Sequence, residues 1–239
     1  MGNTSVSELY DPGLHLFVDD AEVQDHPGFL RKVQQPARVQ AEPVLRADRP
    51  WEGSAVQMWG SVLYDRDEDL FKMWYFTHGP AGAGKEAQKY ICYATTGDGV
   101  KWDKPELGLF DFGGSKANSI VWTNMHGTHN LFPFKDLNPA AAESEQYKAV
   151  AGTKDYGFYG FSSPDGLRWK RVGQEPFFPD TRSTDWISSA FWDRHRGEYL
   201  AYHRAWDSDY GEVMDFTVPA PGEQPRPAGH MNLAGRWRS

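Results

Sequence analysis

The sequence predicts an all-β protein, a β-propeller of four-stranded antiparallel blades, with about three blades present in this chain. One observation is a repeated turn motif, Thr/Ser-x-Asp-Gly-x-x-Trp, which occurs at Thr96–Trp102 and again at Ser163–Trp169. Its aspartates, Asp98 and Asp165, are 67 residues apart. A second observation is that aromatic-rich, strand-like segments recur around both copies. A third is that no stretch longer than a few residues has the 3.6-residue apolar period of a helix.

Composition narrows the class of protein. The chain has 239 residues, of which 39% are hydrophobic and 24% charged, as in a globular protein. Aromatic residues make up 15%, with ten tryptophans, which suits a β-rich core or a carbohydrate-binding surface. The net charge of −8 argues against nucleic acid as a partner. The single cysteine, Cys92, excludes an intramolecular disulfide and suggests a buried thiol.

Neither a membrane partner nor a secretory signal is expected. No run approaches the roughly 18 apolar residues of a membrane span. Residues 1–13 are polar, without a basic start or an apolar core, so they do not form a signal peptide. Localisation is left open between a cytoplasmic protein and a processed secreted one.

The first blade is expected at about residues 51–105. Asp-Gly pairs favour two-residue hairpin turns because both central positions want a positive φ. The turn at Asp98-Gly99 should therefore join a third strand to a fourth. The predicted strands are Met58–Tyr64, Leu70–Phe76, Lys89–Ala94 and Val100–Trp102.

The pattern repeats in a second blade, about 125–172, and a third, about 183–239. Segments 58–65, 129–134 and 187–193 should be the equivalent innermost strands of one domain, residues 1–239. Propellers close with at least about four blades, so we expect a fragment or a ring closed by oligomerisation. The alternatives are a β-sandwich fold and two unrelated hairpins.

Several motifs resemble one known group of propellers. They are Gly60–Asp65, Phe71–Tyr75, Ala190–Asp193 and the two Asp-Gly-x-x-Trp turns. These residues resemble the five-bladed glycoside hydrolase superfamily of the family 43/32/68 type, especially hypothetical proteins with a glycosyl hydrolase family 32 N-terminal-like domain. The resemblance implies sugar hydrolysis by two carboxylates, with a third modulating acidity. It implies that they lie near the starts of the innermost strands, around a central funnel.

The chain also departs from related patterns. The family 32 motif Trp-x-Asn-Asp-Pro-Asn is absent. The Asp-Gly turns are similar to the Asp-box of sialidases, but that motif has one more residue between Asp and Gly, and no arginine triad is recognisable. The substrate class therefore stays at the level of carbohydrate.

Glu52 and Asp185 are the candidate catalytic pair, because each precedes a predicted innermost strand and adjoins a tryptophan. A tryptophan can stack on a sugar and exclude water, which raises the pKa of a carboxyl group. The candidate substrate-binding residues are Trp51, Trp59, His129, Asn130, Trp186 and Arg204. The alternative is that the carboxylates cap turns and the tryptophans pack between blades.

No metal or cofactor is expected. His126 and His129 lack a third ligand, and Gly82–Lys85 lacks the spacing of a phosphate-binding loop. Three functions remain open. They are a glycoside hydrolase or a piece of one, a non-catalytic carbohydrate-binding propeller, and a propeller fragment whose role is to form an oligomer. The expected partners are a carbohydrate and, to complete the propeller, further copies of the chain.

Overall fold

The structure, a computed structural model, describes most of the chain. The described residues are 28, 32–38, 40–80, 88–123, 130–153, 157–176, 188–194, 196–203 and 230–232. The chain divides into two compact units, Met1–Glu42 and Pro43–Ser239. The few described residues of the first unit contain no helix or strand. None of the described helices has the length and apolar character needed to cross a membrane.

The second unit contains three antiparallel sheets, each with its strands in chain order. The first sheet has four strands, β1 (Val56–Asp65), β2 (Leu70–His78), β3 (Lys89–Thr96) and β4 (Ile120–Trp122). The second also has four, β5 (Phe132–Lys135), β6 (Tyr147–Thr153), β7 (Gly157–Ser163) and β8 (Lys170–Val172). The third has β9 (Ser188–Asp193), β10 (Glu198–His203) and β11 (His230–Asn232).

These meanders confirm the predicted fold class. The described residues contain no α-helix, only single 3-10 turns such as Pro50–Glu52 and Glu143–Glu145. The expected first strands are β1, β5 and β9, and β1 contacts β5 while β5 contacts β9. Three sheets joined through adjacent first strands have the arrangement of consecutive propeller blades.

The predicted fourth strand at Val100–Trp102 is wrong. After the turn, Asp103 makes only an isolated bridge with Thr95, and the chain returns to the sheet as β4 at Ile120. Pro105 explains the departure, because proline cannot donate a hydrogen bond to the ladder. The first sheet therefore extends to Trp122, past the predicted blade end at residue 105. In the second copy no proline follows Trp169, and the chain enters β8 directly.

The third sheet differs from expectation at its last strand. The sequence placed that strand at 233–239, whereas β11 occupies His230–Asn232 and pairs with Leu200–Tyr202 of β10. Residues 233–239 lie outside the described part of the chain. The pattern of apolar residues there is therefore offset from the pairing by a few positions.

The repeated turn is held by its aspartate. Gly99 and Gly166 have φ of 74° and 75°, as expected, but the two aspartates do not have positive φ. Instead, Asp98 Oδ1 accepts backbone N–H groups of Val100 and Lys101, both at 2.8 Å. These amide hydrogen bonds lower the pKa of Asp98 to about 2. The two-residue hairpin predicted from the Asp-Gly pair is thus replaced by a carboxylate-capped loop.

The second copy of the turn repeats these bonds and adds a contact between sheets. Asp165 Oδ1 accepts the amides of the second and third residues after it, at 2.9 and 2.8 Å. In the first copy Trp102 Nε1 donates to Gly99 O. In the second, Gly166 O instead accepts a 2.6 Å hydrogen bond from Trp74 Nε1 of the first sheet. The second turn therefore packs against the preceding sheet.

The sheets are stacked face to face through apolar clusters. The cluster between the first and second sheets consists of Trp74, Phe76, Ile91, Tyr93, Val121, Leu131, Tyr147, Ala149, Ala151, Tyr159, Phe161 and Trp169. That between the second and third sheets consists of Phe134, Val150, Phe158, Ala190, Tyr199 and Ala201. Alternate residues of β6 face opposite ways, Ala149 into the first cluster and Val150 into the second, as strand geometry requires.

A polar clamp joins the first two sheets at the C-terminal end of β1. Asp65 is buried, and its carboxylate binds Lys72 Nζ at 2.9 Å and Lys135 Nζ at 2.8 Å. The hydroxyl of Tyr147, from the second sheet, also donates to Asp65. Burial acts to raise the pKa of Asp65, but the hydrogen bonds from Lys135, Tyr147 and Lys72 outweigh it and hold that pKa well below its usual range.

The same clamp recurs between the second and third sheets. Asp136, whose side chain is fully buried, binds Lys148 Nζ and accepts a 2.6 Å hydrogen bond from Tyr199 OH. In both clamps the lysine nitrogen lies 5.3 Å from the centre of the tyrosine ring. Asn138 Nδ2 donates to Tyr199 OH and completes the second network. The clamp is thus part of the structural repeat.

Alanine at the two turn glycines should give unequal losses of stability. Gly99→Ala is expected to lower the free energy of unfolding by about 1 kcal/mol, the cost of a left-handed φ in open space. Gly166→Ala should cost about 2–4 kcal/mol, because its Cβ would lie 2.8 Å from the Trp74 ring. Chemical denaturation of both variants measures the difference. Equal losses would contradict the packing of the second turn on Trp74.

Asp65 should contribute to stability above about pH 4 and lose this contribution in acid. Its folded pKa is depressed below the reference value of 3.8, so the stabilisation disappears as the pH falls through the folded value. Asp65→Asn should lower the free energy of unfolding at pH 7 by about 3–5 kcal/mol, because two lysines lose a buried partner. The variant should also have a flatter acid limb in unfolding curves measured from pH 7 to pH 2.

Asp67→Asn is the matched control, because Asp67 binds the same Lys135 but its side chain is exposed. This change should cost less than about 1 kcal/mol. An equal loss in the two variants would mean that burial of Asp65 is not what makes the clamp important.

Candidate functional site

The first-strand end, where β1 and β5 begin, is the candidate functional site. The two strands approach closely at Gly60. A Cβ atom there would lie 2.0 Å from the carbonyl oxygen of Trp74 and 3.5 Å from that of Leu131, which precedes β5. Any larger side chain would push the strands apart, so glycine allows the beginnings of β1 and β5 to converge.

An aromatic ladder lies at this end, on the face of the first sheet that meets the second. Trp59 stacks on Phe76, with ring centroids 5.2 Å apart and an interplanar angle of 22°. His78 packs edge-on against the same Phe76, at 4.8 Å. Trp59 is half-buried and His78 is exposed. Partial burial, ahead of the charge of Lys89, lowers the pKa of His78, so its imidazole is neutral near pH 7.

Gln57 adds an amide beside the ladder, and sequence reasoning missed it. It lies opposite Phe76 in the register, at an irregularity in β1 between Gln57 and Ser61. Its buried Oε1 atom has no hydrogen-bond partner among the described residues. Bulges of this kind re-aim side chains near functional sites, and an unsatisfied buried acceptor calls for a water molecule or a ligand group. The available signal was one long polar side chain in an otherwise apolar strand.

Glu52, predicted to be catalytic, is fully buried among structural partners. Its Oε1 accepts a 2.6 Å hydrogen bond from Tyr75 OH, and Oε2 accepts the backbone amides of Asp48 and Arg49 at 2.9 and 3.0 Å. Lys104 Nζ lies 2.7 Å from Oε1 and 2.8 Å from Oε2. All of these partners hold the Pro50–Glu52 turn against the first sheet. The contacts favour a structural role, and the catalytic role stays a prediction.

The surroundings of Glu52 form a buried polar group on the outer side of the first sheet. Burial, followed by the nearby Cys92 and Glu52, raises the pKa of Tyr75 well above its usual range. Burial likewise raises the pKa of the Cys92 thiol, so that it stays protonated. Cys92 is therefore the buried, unreactive thiol expected from the sequence.

Trp51 lies in the same region and is also buried. It packs edge-on against Phe112, with ring centroids 6.4 Å apart, in a cluster that also contains Met73, Tyr90 and Ile120. This environment is that of a core residue, because the ring is covered by the chain itself. A substrate-binding role for Trp51 remains a prediction.

Asn130 begins the second sheet and is 1% exposed. Its φ of 68° is in the left-handed region, which asparagine tolerates better than most residues. The conformation directs the chain into β5. The predicted binding of sugar hydroxyls by Asn130 is not tested by this geometry.

The remaining predicted site residues lie outside the described part of the chain. They are Asp185, Trp186, His129 and Arg204. Thus, of the candidates, only Trp59 and Asn130 are described at the first-strand end, while Glu52 and Trp51 pack on the outer side of the first sheet. Within the described residues, no group of three or more histidine, cysteine, aspartate or glutamate side chains could hold a metal ion.

Comparison with known proteins gives similarity at the level of solved structures. No family model matches the chain, and no curated protein matches it. It is similar to a fructofuranosidase from Schwanniomyces occidentalis complexed with fructose, at 16% identity and a TM-score of 0.45. That alignment covers 60% of this chain and 28% of the other.

A second similar structure is an N-acetylgalactosamine deacetylase from F. plautii in complex with blood group B trisaccharide. The identity is 17% and the TM-score 0.39, over 60% of this chain and 39% of the other. The chain therefore spans less than two fifths of the length of each of these proteins. The likenesses agree in kind with the glycoside hydrolase resemblance of the motifs, and they concern the fold alone.

Glu52→Gln should destabilise the protein strongly if its role is structural. The amide cannot balance the buried charge of Lys104, and its NH2 group would face donors, so we expect a loss of about 3–5 kcal/mol in the free energy of unfolding. Denaturant unfolding of the variant measures this loss. Glu106→Gln, a nearby change at an exposed position, should change stability by less than about 0.5 kcal/mol. An unperturbed melt for Glu52→Gln would instead favour a role in catalysis.

Proposed function

We propose that the protein binds a carbohydrate at its first-strand end. The observation that carries the proposal is the juxtaposition of the Trp59–Phe76–His78 ladder with the unsatisfied Oε1 of Gln57. Sugar rings have apolar faces that stack on aromatic side chains, and hydroxyl groups at their edges that bond to amides. An apolar surface with a few placed polar groups is the usual construction of a small-molecule site.

The charges at this end are compatible with a neutral ligand. His78 is neutral near pH 7, and Gln57 carries no charge. A hydroxyl group could donate to Gln57 Oε1, satisfying an acceptor whose burial is otherwise costly. The stacking surface offered by Trp59 is limited to what Phe76 leaves uncovered, since one face of the indole is against that ring.

Hydrolysis is the finer proposal, and it rests on the motif resemblance. Cleavage of a glycosidic bond requires a carboxylic acid and a carboxylate on either side of the scissile bond. Asp185 precedes β9, in the repeat position where such a group is expected, with Trp186, Arg204 and His129 as further candidates for sugar contacts. The pair Glu52 and Asp185 would need about 5 Å between carboxyl groups for retention, or about 6.5–9.5 Å for inversion. A binding protein without catalysis is the second candidate, favoured by the enclosed position of Glu52.

Titration calorimetry against a panel of neutral mono- and oligosaccharides tests the binding proposal. Trp59→Leu and Gln57→Ala should each weaken binding of the selected sugar about tenfold or more, since a lost stacking or hydrogen-bond contact is worth about 1–2 kcal/mol. Trp102→Leu is the matched control. It changes a half-buried tryptophan at the opposite end of the first sheet and should leave affinity unchanged.

The same sugars, incubated with the protein and analysed for products, separate the two candidates. Products that disappear in Asp185→Asn, with sugar affinity retained, would support hydrolysis. Binding without products would support the non-catalytic alternative. If no sugar binds, or if Trp59→Leu and Trp102→Leu behave alike, the first-strand end is not a carbohydrate site.

A further inference from the structure

We propose that the outer face of the first sheet is a docking surface for the third sheet of a second copy of this chain. The surface consists of Val62 and Tyr64 on β1 together with the turn at Gly99. Its exposed apolar side chains occupy positions that are covered, in the other two sheets, by the preceding sheet. The proposal does not depend on the carbohydrate proposal.

The pairing register defines the equivalent positions. Tyr64 pairs with Phe71, Lys135 with Tyr147, and Trp192 with Tyr199, always at the residue before the aspartate that ends or follows the first strand. Two residues earlier, the equivalents of Val62 are Pro133 and Ala190, which are both buried. Val62 is 45% exposed and Tyr64 48% exposed. By contrast, Trp192 packs against the cluster shared with the second sheet.

The repeated turn gives the same result independently. A Cβ on Gly166 would meet Trp74 of the preceding sheet at 2.8 Å, whereas a Cβ on Gly99 would have no heavy atom within 4 Å. The first sheet thus lacks a preceding neighbour at both ends of the comparison, along its first strand and at its turn. The rest of its outer face is covered by the chain itself, including Trp51 and Phe112, which confines docking to β1 and the turn.

The clamp residues indicate which surface fits there. Each clamp requires a lysine on one sheet and a tyrosine on the next, as in Lys72 with Tyr147. At the outer ends both members are replaced. Phe71 stands at the tyrosine position of the first sheet, and Leu200 at the lysine position of the third. A contact of the third sheet with another copy's first sheet would therefore leave neither a buried lysine nor a tyrosine hydroxyl without its clamp partner.

Such a head-to-tail contact can close on itself. Each copy supplies three sheets, so two copies supply six, within the range of about four to eight blades found in closed propellers. A heterologous contact that closes gives a ring, whereas one that does not gives a filament. The predicted assembly is a two-fold ring, in which each copy contributes its own first-strand end to the centre.

Sedimentation analysis at tens of micromolar protein tests the assembly. Wild type should sediment as a dimer of a 27.1 kDa chain. The double variant Val62→Glu/Tyr64→Glu should be monomeric, with dimer affinity lowered at least 100-fold, because four carboxylates would be buried in the two contacts of the ring. Leu137→Glu, which changes an exposed apolar residue away from this surface, should remain dimeric. A monomeric wild type, or a dimer unaffected by the double variant, would overturn the proposal.

Cysteine cross-linking tests the head-to-tail geometry. The native Cys92 is buried, so introduced thiols dominate the reaction. Mixing Val62→Cys with Phe191→Cys protein, each purified separately, should give a disulfide between the two variants under mild oxidation. Preferential coupling of Val62→Cys to itself would show a contact between two first sheets and would overturn the proposed geometry.

Discussion

The stacking of the sheets depends on the Asp65 carboxylate, which is buried at the junction of two sheets and must be neutralised there. Lys72 of its own sheet, together with Lys135 and Tyr147 of the next, fills its hydrogen-bonding capacity. Apolar clusters are not directional and could accommodate a shift of one sheet along the other. A buried carboxylate with three specific donors cannot, because a shift would leave charges unpaired in a low-dielectric environment. We infer that the clamps fix register more than they add stability.

The clamps and the candidate site lie at opposite ends of the first strands. Asp65 ends β1, while Gln57 and Trp59 are near its beginning. At the clamp end, charge and hydrogen bonding are balanced within the protein. At the other end, Gln57 Oε1 is without a partner among the described residues, beside aromatic rings. The chain thus satisfies its polar groups where the sheets must be locked, and leaves an acceptor where a ligand could meet it.

The sequence predicted the parts of the fold that local chemistry determines. The spacing of Asp98 and Asp165 identified the repeat, and alternation of aromatic residues identified β1, β2 and β3. It failed where distant or competing contacts decide. The Asp98 side chain takes the amides that a two-residue hairpin would leave to the backbone, and Pro105 interrupts the expected fourth strand. For Glu52, no local signal marks Lys104, its ion-pair partner 52 residues further along the chain.

The roles of the described carboxylates separate binding from hydrolysis. Asp65 and Asp136 clamp sheets, Asp98 and Asp165 cap turns, and Glu52 ties the Pro50–Glu52 turn to the first sheet. A carboxylate whose oxygens are occupied by lysines and amides is poorly placed to exchange a proton with a substrate. Binding needs only the aromatic ladder and an amide, which this fold provides. Hydrolysis needs carboxylates beyond those that hold the fold together, and the segment before β9, with Asp185, is where the repeat would supply one.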